Sequence, residues 1–225
     1  MNITTGIVDI HHGEPHDFLK ARAGGVVAVI LKATQGKDWH DPEFQRSLID
    51  AQAADLLTGA YHFGSGSSPG AQQADLCLAA VHPDVHPDVR IALDLEHNPD
   101  LASGDMTTEQ AAAFCQRVRD VTGRWPILYA GLDNLRNRMA VASLPVRAIF
   151  ANCALWLAAY GPDPMTVKVP APWHEWSLFQ YSDWGAGPSN RTLYPRDTPG
   201  FGRVDRSCYR GTSDELRAWW ATVGK

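Results

Sequence analysis

The chain has 225 residues, 44% of them hydrophobic and 20% charged, which suits one domain with a large core or a single α/β barrel. Its 25 acidic and 20 basic residues leave a net charge of −5, which argues against a general nucleic-acid binder with a basic stripe. No apolar run approaches the roughly 20 residues of a membrane-spanning helix, and the start, Met1 to Ile10, lacks the basic and apolar stretches of a signal peptide.

The chain opens with a short strand, Gly6 to Ile10, that ends in Asp9 and a polar run, His11-His12-Gly13-Glu14. A short helix over Asp17 to Ala23 follows. Val26 to Leu31 is continuously apolar, as in a strand buried on both faces. Asp41-Pro42 carries a helix-start signal, Asp as cap and Pro in the first turn, for a helix reaching about Leu57. Thr58 to Phe63 is a third strand. The Gly- and Ser-rich run Gly64 to Gly70 lacks the Lys-Ser/Thr of a phosphate-binding loop and reads as a flexible connection to a helix ending at Ala80. A small duplication, Val81-His82-Pro83-Asp84 and Val85-His86-Pro87-Asp88, leads into a fourth strand, Arg90 to Asn98.

Thr107 and Gln110 have capping-box spacing for a helix ending near Gly123. Pro126 to Tyr129 is a fifth strand, with a short helix from Leu132 to Ala142. Leu155 to Tyr160, Ser177 to Tyr181 and Val204 to Tyr209 are three more strands, joined by Pro- and Gly-rich links without helical period. Thr212 and Glu215 form a second capping box, and Leu216 to Thr222 closes the chain as a helix. The first five strands alternate with helices and the last three do not. The fold class is therefore α/β: an irregular TIM-like β/α barrel of five β-α units followed by three strands lacking crossover helices, at least one of them antiparallel. Residues 1–225 read as one domain. Cysteines 77, 115, 153 and 208 show no CxxC spacing and read as reduced, buried thiols, with one disulfide as the alternative.

The fourth strand ends in two acids. Side chains alternate along a strand, so Asp94 and Glu96 share one face and Leu93 and Leu95 the other. Two carboxylates held together repel, so one tends to keep its proton while the other ionises. Acid/base hydrolysis of a glycosidic bond needs such a pair. In a β/α barrel the active site lies at the C-terminal ends of the strands, where Asp9 and Asp205 also fall. Taken singly each acid has a plainer reading: Asp9 could cap a turn, and Asp205 could pair with Arg203 or Arg206. Tyr61, Tyr129, Trp156, Tyr160 and Tyr181 lie on strands near the same mouth, with Trp39 and Trp184 in loops, and flat aromatic faces suit sugar rings. Trp219 and Trp220 read as packing residues. Asp9-x-His11-His12 and Glu96-His97 raise the alternative of a metal centre.

These segments, in order, resemble the glycoside hydrolase family 25 lysozymes, the Chalaropsis-type muramidases. The resemblance rests on Gly6-Ile7-Val8-Asp9, Leu31-Lys32-Ala33-Thr34-Gln35-Gly36 with Asp41-Pro42-x-Phe44, and Gly59-Ala60-Tyr61-His62-Phe63. Leu93-Asp94-Leu95-Glu96, Pro126-Ile127-Leu128-Tyr129, Leu155-Trp156-Leu157-Ala158-x-Tyr160-Gly161, Phe179-Gln180-Tyr181 and Val204-Asp205 complete it. It implies cleavage of the β-1,4 bond between N-acetylmuramic acid and N-acetylglucosamine in peptidoglycan. It implies that Glu96 is the general acid/base, that Asp94 assists, and that Asp9 and Asp205 complete an acidic floor. Tyr61, Tyr129, Trp156, Tyr160 and Gln180 fall where such enzymes line their sugar groove. Gln35 and His11 stand where many members carry Glu and Ser. No cofactor or metal is expected. The expected partner is the peptidoglycan glycan strand, met by a monomer after non-classical export or lysis, with no nucleic acid and no membrane span. The alternatives are a metal-dependent phosphodiesterase using Asp9, His11 and Glu96, a non-catalytic glycan-binding module, and an enzyme for another N-acetylated glycan such as chitin.

Overall fold

The computed structural model describes residues 2–225. Strand β1 (Thr4–Ile10) leads through helix α1 (Phe18–Ala23) to β2 (Ala28–Gln35). The chain turns at Gly36, whose φ of 57° is left-handed and suits glycine. The turn lays the two-residue strand β3 (Trp39–His40) against the end of β2. Then come α2 (Phe44–Ala53), β4 (Leu57–Phe63), α3 (Gly70–Val81), β5 (Arg90–Asp94), α4 (Thr108–Thr122) and β6 (Ile127–Gly131). Two helices, α5 (Leu132–Val141) and α6 (Leu144–Phe150), precede β7 (Ala154–Ala158), β8 (Leu178–Ser182), β9 (Asp205–Tyr209) and α7 (Ser213–Thr222).

Eight strands close a barrel in the order β1-β9-β8-β7-β6-β5-β4-β2, with the β1–β2 pairing completing the ring and β3 appended to β2. The pairings within the ring are parallel except those of β9, which runs against both β1 and β8. The expected five β-α units and three further strands are therefore present, and β9 is the strand that reverses. The link between the parallel strands β7 and β8 carries a 3₁₀ turn, Pro164–Thr166, in place of a crossover helix.

Alternation along the strands separates two apolar layers. Ile7, Ala28, Ile30, Ala92, Ile127 and Leu178 pack inside the ring, joined by Leu216 and Trp220 of α7. That helix plugs the end where the strands begin: Arg90, the first residue of β5, donates from Nε to the Trp220 carbonyl at 2.6 Å. Val8, Val29, Leu31, Leu93 and Leu95 face outward into a larger layer shared with the helices. Burying one such leucine stabilises the fold by about 2 kcal/mol. The four cysteines are buried and free. Among the described residues, no helix is long and apolar enough to cross a membrane.

Both capping boxes form, Thr107 with Gln110 and Thr212 with Glu215. Two helix expectations need correction. α2 starts at Phe44 behind Glu43 and stops at Ala53, rather than running from Asp41 to Leu57. Asp41 is 7% exposed, and its carboxylate accepts from the backbone N–H groups of His12 and Glu43, each at 2.9 Å. It ties the β1 exit to the α2 entrance instead of capping the helix. α6 was not expected from the sequence, although Ser143 at its N-cap and Pro145 in its first turn are start signals.

The loop from Gly64 to Gly70 is tied down, not loose. The Gln73 side chain donates to the carbonyls of Ser65 and Ser68, both at 2.8 Å, and accepts from the Ser65 N–H at 3.0 Å. Gln110 reaches the Ser68 carbonyl from α4 at 2.9 Å. At Gly70 a Cβ would fall 1.7 Å from the Gln110 carbonyl oxygen, so the close approach of α3 and α4 requires glycine there. Beneath the loop, buried His62 accepts from the Thr34 hydroxyl at 2.8 Å and donates from Nε2 to Gln73 at 3.0 Å. Burial lowers its pKa to about 4, so the ring is neutral and this role is structural.

Candidate active site

Asp9 is the second-last residue of β1 and Asp205 begins β9, and the antiparallel register sets them directly opposite each other. Cross-strand partners project from the same face, so both carboxylates enter the mouth at the C-terminal ends of the parallel strands. Gln180 of β8 joins them. Its amide nitrogen donates to the two Asp9 oxygens at 3.0 and 2.9 Å and to Asp205 at 3.3 Å. Its oxygen accepts the hydroxyls of Tyr129 at 2.8 Å and Tyr160 at 2.6 Å. Burial and the charge of Asp205 push the Asp9 carboxyl well above its ordinary range, against the pull of Gln180. Asp205 is pushed up to about 7 by burial and by Glu14, Asp183 and Glu96. Neither arginine near it takes its carboxylate. Arg206 donates to the carbonyls of Thr5 and Asp197, and Arg203 lies 3.7 Å over the Trp184 ring.

Asp94 is the last residue of β5, paired in register with Phe63 and Tyr129. The ladder runs one bond further, from the Leu95 N–H to the Tyr129 carbonyl at 2.9 Å. Alternation therefore holds past the strand end. Leu93 and Leu95 enter the outer layer, while Asp94 and Glu96 line one cavity. They are not equivalent. Asp94 is 6% exposed, and its Oδ1 has no hydrogen-bond partner among the described residues. Glu96 is only partly buried, nearer the opening. Burial pushes Asp94 well above the ordinary carboxylate range, reinforced by Glu96 and opposed by Lys32. Burial also raises Glu96, opposed by Lys32 and His97. A pair so arranged holds its shared proton to higher pH than two isolated carboxyls would.

The cavity, about 220 Å³, gathers Asp9, Asp94, Glu96 and Asp205 with Tyr61, Tyr129, Trp156 and Gln180. Tyr160, 39% exposed, stands at its rim through its bond to Gln180. Trp156 lies in the floor at 2% exposure. Its indole N–H donates to Ser207 at 2.9 Å, and its ring meets Tyr129 edge-on at 4.7 Å. Tyr61 and Tyr160, not the buried Tyr129 and Trp156, thus offer the accessible aromatic surface. Tyr181 is buried, with its hydroxyl on the Pro195 carbonyl.

The histidines of the alternative reading point to separate partners. His12 bonds Asp41 at 3.0 Å and exposed His97 bonds Asp105 at 3.0 Å, while His11 donates from Nδ1 to the His12 carbonyl at 2.7 Å. Among the described residues no three His, Cys, Asp or Glu side chains are grouped to hold a metal ion. A larger concavity of about 600 Å³ lies at the opposite end of the barrel, around Pro83, Pro87, Arg90 and Trp125. The carboxylates converge in the smaller one, which is therefore the candidate site.

The sequence reading did not single out Lys32, which also lines the cavity. Its signal was present: one charge directly after the buried apolar run Val26 to Leu31, where a lysine has no place unless it is paired or functional.

Residues 8–189 match the model for "Glycosyl hydrolases family 25". The chain is 34% identical over 199 residues to the N,O-diacetylmuramidase of Chalaropsis sp., covering 82% of this chain and 92% of that one. It is 27% identical over 229 residues to lysozyme M1 of Streptomyces globisporus, covering 96% of this chain and 71% of that one. Its structure superposes on a family GH25 lysozyme from Aspergillus fumigatus with a TM-score of 0.76 at 26% identity, covering 96% and 98% of the two chains.

Proposed function

The chain belongs to the glycosyl hydrolases of family 25 and is a glycoside hydrolase of the lysozyme type; on that premise we propose that it hydrolyses the β-1,4 bond between N-acetylmuramic acid and N-acetylglucosamine in peptidoglycan, with Glu96 as general acid/base. The observation that carries the assignment of roles is the unequal pair: Asp94 buried with an unpartnered oxygen, Glu96 beside it and open to the mouth.

In the free protein Asp94 is the harder of the two to ionise. An N-acetylated sugar brings an amide N–H. Donated to Asp94, that N–H favours the carboxylate there and leaves the shared proton on Glu96. Glu96 then protonates the departing glycosidic oxygen as the C–O bond breaks. The acetamido oxygen attacks the anomeric carbon, and Asp94 steadies the positive charge. Glu96, now a base, takes a proton from the water that opens the intermediate, with net retention. Direct attack by Asp94 would also retain configuration. Asp9 and Asp205, held by Gln180, form the floor beneath the sugar, and Tyr61 and Tyr160 present their surface to it, with Tyr129 lining the cavity beside them. One chain supplies the lining of the cavity, so the proposed reaction on the glycan strand needs no residue from a second subunit.

The test is digestion of purified peptidoglycan with mass spectrometry of the new reducing ends. Muramic acid there is expected. N-acetylglucosamine ends, or no release, would overturn the assignment, and faster release from chitin would move it to that polymer. Loss of activity in EDTA, restored by a divalent metal, would favour the phosphodiesterase alternative.

A further inference from the structure

Lys32 is held in a way that the roles of the four acids leave unexplained. It lies on the inner side of β2, above Ile30. Residues three apart on a regular strand face opposite sides, so Gln35 should point away from it. The register of β2 against β4 slips between Lys32, opposite Tyr61, and Thr34, opposite His62. This bulge adds one residue to β2 and returns Gln35 to the inner side. There Lys32 Nζ donates to Gln35 Oε1 at 2.7 Å. Trp39 and Phe63, the partners of Gln35 on β3 and β4, set their rings 5.0 and 5.1 Å from Nζ. Among the described residues Lys32 forms no ion pair. A half-buried ammonium is thus fixed by one neutral acceptor and two aromatic faces, beside an acidic mouth.

We propose that Lys32 is a positioning residue whose fixed charge sets the pH window in which the Asp94–Glu96 pair works, and that the neutrality of Gln35 leaves that charge undiminished. The inference rests on the reading of Glu96 as proton donor. Burial lowers the pKa of Lys32, and the charged groups around it, Asp94 and Glu96 at the β5 exit and Asp41 ahead of α2, oppose that by favouring its protonated form. Asp9 and His11 at the β1 exit and Asp205 on β9 share the mouth, and Tyr61 stands beside it on β4. Lys32 counters burial at Asp94 and is the foremost such influence at Glu96, ahead of His97. Asp9 is held instead by Gln180, so the two acid pairs are tuned by different side chains. Without Lys32 both members of the Asp94–Glu96 pair would keep their protons to higher pH.

The test is the pH dependence of kcat/KM on a soluble glycan oligomer for the wild type, Lys32→Met and Gln35→Glu, with carbon NMR titration of the side-chain carboxyls. Lys32→Met is expected to move both limbs of the profile upward by about one pH unit. Gln35→Glu, which sets a negative charge against Nζ, should move them the same way by less. The carboxyl titrations of Asp94 and Glu96 should shift in parallel. If Lys32→Met does not fold, as read by circular dichroism, Gln35→Glu carries the test alone. Superimposable profiles and titrations, with a raised KM, would overturn the proposal and make Lys32 a substrate contact. Absence of muramic acid at the reducing ends of wild-type digests would instead sink the proposed reaction, while the titrations would still report on Lys32.

Discussion

Gln180 donates its amide N–H groups to both oxygens of Asp9, at 3.0 and 2.9 Å, from a strand position 171 residues away. The same side chain also donates to Asp205 and receives two tyrosine hydroxyls, so its removal strips partners from four groups at once. Gln180→Leu is expected to cost about 3 kcal/mol of stability, the scale set by leaving buried polar groups unpaired. Urea denaturation measures it. A midpoint equal to wild type would mean that the bridge does not hold the floor together.

Glu96→Gln keeps the shape of the side chain and removes its proton chemistry. The variant should fold as the wild type does and lose wall lysis by a factor of about 10² to 10⁴, the range of general acid/base contributions. Turbidity loss of a wall suspension reads this directly. Lysis at the wild-type rate would show that Glu96 is not the acid.

In the proposed mechanism the unpartnered oxygen of Asp94 receives the N–H of the substrate's acetamido group, whose oxygen then attacks the anomeric carbon. Glycan strands de-N-acetylated at the muramic acid should therefore be cleaved at least about 10²-fold more slowly, a loss on the scale of one catalytic group. Rates on matched acetylated and deacetylated oligomers decide the matter. Equal rates would favour direct attack by Asp94.

Asp205 has a folded-state pKa raised to about 7 from an ordinary 3.8. A group raised on folding binds more protons in the native state than in the unfolded one, so its contribution to stability falls as pH rises. It is fully present below about pH 4 and is lost through about pH 7. Asp205→Asn removes the ionisation. Relative to wild type, the variant should thus be more stable at pH 8 than at pH 4, measured by denaturation midpoints at the two values. A difference independent of pH would contradict the burial of this carboxylate among like charges.

Much of this site could be read along the chain because its main signals are local. Alternation alone put Asp94 and Glu96 on one face with Leu93 and Leu95 opposite, and the ladder bond from Leu95 preserves that pattern past the end of β5. The capping boxes at Thr107 and Thr212 needed no more than three-residue spacing. The start of α2 falls at Phe44 for a partly non-local reason: His12 of another segment holds Oδ2 of Asp41, while Oδ1 accepts from the Glu43 N–H ahead of the helix.

The order of strands and breakers along the chain determined an α/β barrel with acids at its strand ends, because side-chain periodicity and turn chemistry act over a few residues. Tertiary structure alone decided that Asp9 meets Asp205, since that register depends on β9 reversing to close the ring. It decided that Gln180 spans both acids, and that a bulge turns Gln35 toward Lys32. A side chain's direction follows from its own strand; which charge it faces follows from how the strands are brought together.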